Sequence, residues 1–206
     1  MSKLKLKVCG MKNPENIKQL IKQQPDFMGF IFYGKSPRFI SEPDEDLFSR
    51  IPISIKKVGV FVNESIDNIL KLRDKLGLDY VQLHGDEDLS FSKNLKEKGV
   101  GIIKVFRLLD SLPYSLPKFS EFSDYFLFDT ATPEYGGSGR HFDWSILKNY
   151  NLETPFLLSG GITKDDMEEI KGLRLEKLVG IDVNSKFEVS PGMKNINMLR
   201  QLKERI

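Results

Sequence analysis

The sequence predicts an α/β fold, a closed (β/α)8 (TIM) barrel, and three observations carry that reading. Eight short β-rich runs recur along 206 residues. Helix-period stretches separate them. Several of the runs are apolar almost throughout rather than alternating, as befits strands buried on both faces of a parallel sheet. Eight units give about 26 residues each, enough for a strand, a helix and two short loops. An open doubly wound sheet usually has fewer strands, and its dinucleotide-binding form wants G-x-G-x-x-G after the first strand. Cys9-Gly10-Met11-Lys12 does not supply it. No long Gly/Ser or Pro linker breaks the series, so residues 1–206 are expected to form a single catalytic domain.

The strand runs fall at 4–9, 27–32, 57–62, 80–83, 100–106, 125–129, 155–159 and 178–183. After the first, Asn13-Pro14-Glu15 reads as an N-cap, a proline at the first helical position and an acidic first turn, leading into Ile17, Leu20 and Ile21. Ser65 opens the helix carrying Ile66, Ile69, Leu70 and Leu72, and Gly77 stops it. A helix is expected over 87–98, ended by Gly99. Between 106 and 125, Pro113 and Pro117 leave room only for a short one. Trp144, after Phe142-Asp143, reads as a helix-start anchor. Thr163, with Asp165 and Asp166, caps 167–170, and 195–206 places Ile196, Leu199 and Leu202 on one face.

The charge balance, 31 basic against 29 acidic residues, implies neither a nucleic-acid nor a membrane-surface partner. Cys9 is the only cysteine, so no intramolecular disulfide can form, which suits a reducing compartment. The opening residues lack the apolar stretch of a signal peptide, and no segment approaches the length of a transmembrane helix. A cytoplasmic protein is expected.

Barrel enzymes draw their catalytic side chains from the C-terminal ends of strands. Cys9 ends the first run, His84 follows the fourth, Asp129 ends the sixth and Asp182 lies near the end of the eighth. Two glycine-bearing segments, Leu158-Ser159-Gly160-Gly161-Ile162 and Gly180-Ile181-Asp182-Val183-Asn184-Ser185, fall after and on the last two strands, where barrels frequently bind phosphate through backbone N–H groups. Each residue also has a plainer reading. Cys9 suits an inert small hydrophobe, Asp129-Thr130 a turn cap, and His84 a structural hydrogen-bonding role. Arg38 suits a solvated loop, Gly160-Gly161 close packing, and Asp182 the ordering of loop amides.

Eight motifs then converge on one family. Lys7-Val8-Cys9-Gly10-Met11, the segment from Gly29 to Arg38, Val58-Gly59-Val60-Phe61-Val62-Asn63 and Gln82-Leu83-His84-Gly85-Asp86-Glu87 resemble signatures of the phosphoribosylanthranilate isomerases. So do Phe128-Asp129-Thr130, the segment from Gly136 to Trp144, and the two glycine segments above, in order from residue 7 to about 194. The resemblance implies an isomerase of tryptophan biosynthesis that performs an Amadori rearrangement on a phosphosugar by general acid–base catalysis. It implies Cys9 as base, Asp129 as acid and Arg38 on the anthranilate carboxylate; beside its structural reading, His84 is equally expected as a substrate contact. Phosphate would be held by Gly160, Gly161, Asp182, Asn184 and Ser185. No cofactor and no metal are implied, and two histidines with one cysteine offer no zinc-ligand spacing.

The chemistry fits these residue types. Ring opening calls for a carboxylic acid of raised pKa, and a cysteine needs only modest help from a nearby cation to ionise. Lys7, two residues from Cys9 and on the same side of the strand, is expected near the substrate and able to supply that field. Asn184-Ser185-Lys186-Phe187-Glu188 departs from the family's frequent Ser-Ser-Gly-Val-Glu, Ser138 from a threonine and Phe128 from an aliphatic residue.

The rival readings are a related phosphosugar isomerase and a non-catalytic phosphosugar-binding barrel. An indole-glycerol-phosphate synthase would need a lysine–glutamate set, and a ribulose-phosphate epimerase would need metal-binding histidines. A bis-phosphate sugar would want a second glycine loop in the first half. A mere binder has no need of Cys9 and Asp129 together. The expected partner is a small phosphosugar, the chain a monomer or homodimer, and residues 130–139 a mobile loop over the site.

Overall fold

The computed structural model describes residues 3–131 and 142–206. The expected loop at 130–139 lies outside the described residues beyond 131, as does the motif from Gly136 to His141. Eight parallel strands close on themselves in chain order: β1 (Lys5–Val8), β2 (Phe27–Ile31), β3 (Lys56–Phe61), β4 (Tyr80–Leu83), β5 (Ile102–Leu108), β6 (Tyr125–Thr130), β7 (Phe156–Leu158) and β8 (Leu178–Val183). The closing pair is β1 with β8, and its register sets Lys7 opposite Asp182.

Alternation along the strands separates two cores. One set packs between the sheet and the surrounding helices, from Leu6 and Val8 through Phe30 and Phe61 to Leu202. The other, Phe27, Val58, Ile103, Val105, Leu127 and Leu157, forms a separate cluster within the barrel. Its floor is aromatic. Phe27, Tyr80 and Tyr125 meet edge-on with centroids 5.6 to 6.0 Å apart, and Lys5 Nζ lies over two of the rings. The interior is therefore packed from below, with Lys5 over its floor.

The outer elements start where the sequence places side-chain acceptors. Asn13 accepts from the Asn16 N–H at the head of α1 (Pro14–Ile21). After α2 (Glu45–Ser49), Ser65 caps α3 (Ile66–Leu76), which ends on a left-handed Gly77. The next helix, α4 (Leu89–Glu97), starts later than expected because Asp88 is its cap, while the Glu87 carboxylate turns inward to Lys104 and the Asn63 and Gly85 N–H groups. After α5 (Leu116–Phe119) comes a 3-10 turn, Trp144–Asn149, opened by Asp143. Thr163 and Asp166 form a reciprocal capping box just before α6 (Met167–Gly172), and Asn195 caps α7 (Ile196–Lys203).

The sequence reading did not anticipate α2, which is too short to show a helical period, nor the antiparallel pair β9 (Glu188–Ser190) and β10 (Met193–Lys194) beyond β8. Among the described residues no helix is long and apolar enough to cross a membrane.

Candidate active site

Cys9 follows β1 directly, its N–H bonded to the Val183 carbonyl of β8 at 2.9 Å, and it is only 4% exposed. Room for its sulfur comes from the neighbouring strand. A Cβ on Gly29 would stand 2.9 Å from Cys9 Sγ, closer than a real contact allows. Lys7, on the same face of β1 and fully buried, reaches across the closing seam to Asp182 Oδ1 at 2.8 Å. Asp182 Oδ2 accepts from Ser159 Oγ at 3.2 Å.

This pair governs the thiol. Burial pushes the Cys9 pKa up; Lys7 pulls it down, Asp182 raises it again and Lys194 lowers it, with a net rise. The Lys7 ammonium is held charged: burial works against it, but Asp182 and Cys9 together win and raise its pKa. Lys7, expected near the substrate, pairs its ammonium with Asp182 beside the thiol. The side chain has no exposed surface, and its charge acts through the thiol beside it. The Asp182 carboxylate is turned inward onto Lys7 and Ser159.

Across the barrel mouth stand Asp129 on β6 and His84 after β4. Burial, followed by the Asp182 charge, raises the Asp129 carboxyl to about 6, against the pull of the Thr130 N–H, Lys7 and Arg107. His84 Nε2 lies 3.6 Å from Asp129 Oδ2, and its Nδ1 lies 2.9 Å from the Gln82 amide nitrogen. Burial and the nearby Lys7, Arg107 and Lys104 hold the imidazole near pKa 3, so it is neutral at physiological pH. Gly160, at φ +96, brings its backbone against Asp129. A Cβ there would meet Thr130 Oγ1 at 2.3 Å and Asp129 Oδ1 at 3.2 Å. Gly161 continues the turn at φ +77.

A third group sits at the rim. Arg38 Nε and Nη2 fork onto the Glu188 carboxylate at 2.9 and 2.5 Å. Lys194, nearly fully buried, bonds Glu188 Oε1 at 2.6 Å and Asn184 Oδ1 at 2.7 Å. The two cations hold Glu188 below the usual carboxylate range despite its burial. Asn184 thus faces this network, while the exposed Ser185 begins a 3-10 turn, Ser185–Phe187, that ends on a buried Phe187. Gln82, Glu188, Lys194 and Arg107 received no role from the sequence reading. For Gln82 the signal was present, since it lies two residues before His84 on one strand.

Among the described residues no cluster of three or more histidine, cysteine or carboxylate side chains is arranged to hold a metal ion. The mouth joins a thiol, a carboxyl of raised pKa and a neutral imidazole. That set suits moving protons between adjacent carbons and a ring oxygen.

Residues 6–205 match the family model for N-(5′-phosphoribosyl)anthranilate (PRA) isomerase. An N-(5′-phosphoribosyl)anthranilate isomerase of Phocaeicola vulgatus is 43% identical, over 98% of this chain and 98% of its own. The crystal structure of phosphoribosyl anthranilate isomerase from Thermotoga maritima superposes with a TM-score of 0.81 at 30% identity, covering 98% of both chains. A second isomerase structure, in complex with reduced 1-(o-carboxyphenylamino)-1-deoxyribulose 5-phosphate, does so with a TM-score of 0.80 at 27% identity, covering 98% and 97%.

Proposed function

The chain belongs to the N-(5′-phosphoribosyl)anthranilate isomerase family, and we propose that Cys9 is the base and Asp129 the acid of its reaction. The enzyme catalyses the Amadori rearrangement of N-(5′-phosphoribosyl)anthranilate to 1-(2-carboxyphenylamino)-1-deoxyribulose 5-phosphate in tryptophan biosynthesis. The observation that carries the residue assignment is the buried Lys7–Asp182 pair, whose charges act on both the Cys9 thiol and the Asp129 carboxyl.

Protonated Asp129 gives its proton to the ribose ring oxygen as the C1′–O bond breaks, and the anilino nitrogen's lone pair forms the C1′=N bond. The iminium acidifies C2′–H. The Cys9 thiolate takes that proton, and the C2′–H electrons form C1′=C2′ while the C=N electrons return to nitrogen. Protonation at C1′ and loss of the C2′ hydroxyl proton, which the Asp129 carboxylate can accept, give the ketone. The substrate's nitrogen is the electron sink, so the steps balance without an external oxidant or reductant.

Arg38 takes the substrate's aryl carboxylate on its Nη1 side, which has no partner among the described residues, while Glu188 fixes the other edge of the guanidinium. Backbone N–H groups of Gly160, Gly161 and the 182–185 segment receive the phosphate. In this reading residues 1–206 act as one catalytic domain in the cytoplasm, on a small phosphosugar.

The test follows substrate fluorescence with wild type, Cys9→Ser and Asp129→Asn, each checked for folding. Turnover by wild type that collapses in both variants supports the pair. Full activity in folded Cys9→Ser would show that the base lies elsewhere.

A further inference from the structure

We propose that Gln82 is a positioning residue for the acid step, its side-chain amide fixing the tautomer in which His84 directs an N–H at Asp129. The inference rests on the assignment of Asp129 as the acid. Gln82 lies inside β4, 1% exposed, and its amide nitrogen is 2.9 Å from His84 Nδ1. The other end of the amide, Oε1, is buried with no hydrogen-bond partner among the described residues. A buried amide oxygen without a partner is costly, so a glutamine kept here has its purpose in the one bond it makes. That bond goes to the ring.

Donation from Gln82 makes Nδ1 an acceptor and leaves the neutral ring's proton on Nε2. Nε2 faces Asp129 Oδ2 at 3.6 Å, which is loose for a hydrogen bond. The contact matters most once Asp129 has given up its proton, when Oδ2 carries the charge and draws the donor closer. An interaction stronger after proton transfer than before it lowers the barrier rather than merely tightening binding. The groups facing the ring keep it neutral. Lys7 comes from β1, Lys104 and Arg107 from β5, and Asp129 from β6; the three cations oppose a charge on the imidazole.

The experiment combines ring nitrogen-15 NMR of His84, assigned with His84→Asn, and kinetics of folded Gln82→Leu and Gln82→Glu. Above pH 7, wild-type His84 is expected as the Nε2–H tautomer. Gln82→Leu should give a tautomer mixture, a kcat lower by roughly ten-fold, part of what a positioned acid supplies, and a KM near wild type. The portion of its kcat/KM–pH profile belonging to Asp129 should move upward, because the carboxylate has lost a donor, while titrations of the substrate itself stay in place. Gln82→Glu, which can only accept, should draw the ring proton to Nδ1. A wild-type ring protonated at Nδ1 above pH 7 overturns the proposal whether or not the variants fold. So does a folded Gln82→Leu with unchanged tautomer and pH profile. Retained turnover in Asp129→Asn would instead remove the acid assignment on which the catalytic consequence rests, and the NMR result distinguishes the two failures.

Discussion

At the scale of single residues, the thiol of Cys9 is the point at which opposed effects meet, with burial the larger. Burial alone would leave it inert, and the Lys7 ammonium beside it works the other way. Lys7 in turn stays charged chiefly because Asp182 pairs with it across the seam, with Cys9 adding to the effect. Two substitutions should therefore move the thiol in opposite directions. Lys7→Met raises its pKa further, whereas Asp182→Asn lowers it. Thiolate ultraviolet absorbance against pH reads this without ambiguity, since the chain has one cysteine. Equal titration curves for the two variants would show that the pair does not tune the base. Each substitution also strands a buried charge, so Lys7→Met should cost about 3–5 kcal/mol of stability in urea melts. Sequence adjacency places Lys7 on the thiol's face of β1, but only the β1–β8 register reveals the carboxylate that occupies it.

At the scale of elements, the rim network depends on a clamp far away in sequence. Asn16, in the first turn of α1, accepts from the Lys194 N–H at 2.7 Å and donates to the Lys194 carbonyl at 3.0 Å. It holds β10 where Lys194 can reach Glu188, and Glu188 in turn holds Arg38. Asn16→Ala leaves two buried backbone groups of Lys194 unpaired and should destabilise the protein by about 1–3 kcal/mol. If Arg38 binds the aryl carboxylate, KM should rise while kcat changes little, and an unaltered KM would detach the clamp from substrate binding. Such couplings explain what the sequence could and could not disclose. Strand ends and caps are local: Asn13, Ser65, Thr163 and Asn195 cap their turns through acceptors within three residues, and Cys9, His84 and Asp129 sit at ends of apolar runs. The pairing of Asn16 with Lys194, or of Arg38 with Glu188, leaves no local period or spacing to read. The five-residue α2 and the hairpin of β9 and β10 are equally silent, being shorter than the pattern that would announce them.

At the scale of the whole molecule, closure of the barrel concentrates ionisable groups in a place the chain must desolvate, and the fold is less stable for it. Asp129 shows the cost most directly. Its folded-state pKa is raised to about 6 from an ordinary 3.8. A carboxyl raised on folding adds stability at low pH that is lost as the pH climbs through the folded value, here between about pH 4 and 6. Above that window the folded protein must carry a carboxylate it resists, a penalty of about 3 kcal/mol for a shift of this size. Asparagine in its place carries no charge and keeps an oxygen for the Thr130 N–H, which Asp129 Oδ1 accepts at 2.8 Å. Asp129→Asn should therefore abolish turnover yet stabilise the protein at pH 7.5, with the gain shrinking toward zero at pH 4. Urea midpoints of wild type and variant at the two pH values test this. A variant no more stable than wild type at pH 7.5, or equally stabilised at both, would mean that the raised pKa of Asp129 is not a burden on the fold. In that case the mouth of the barrel would be better solvated than its burial implies.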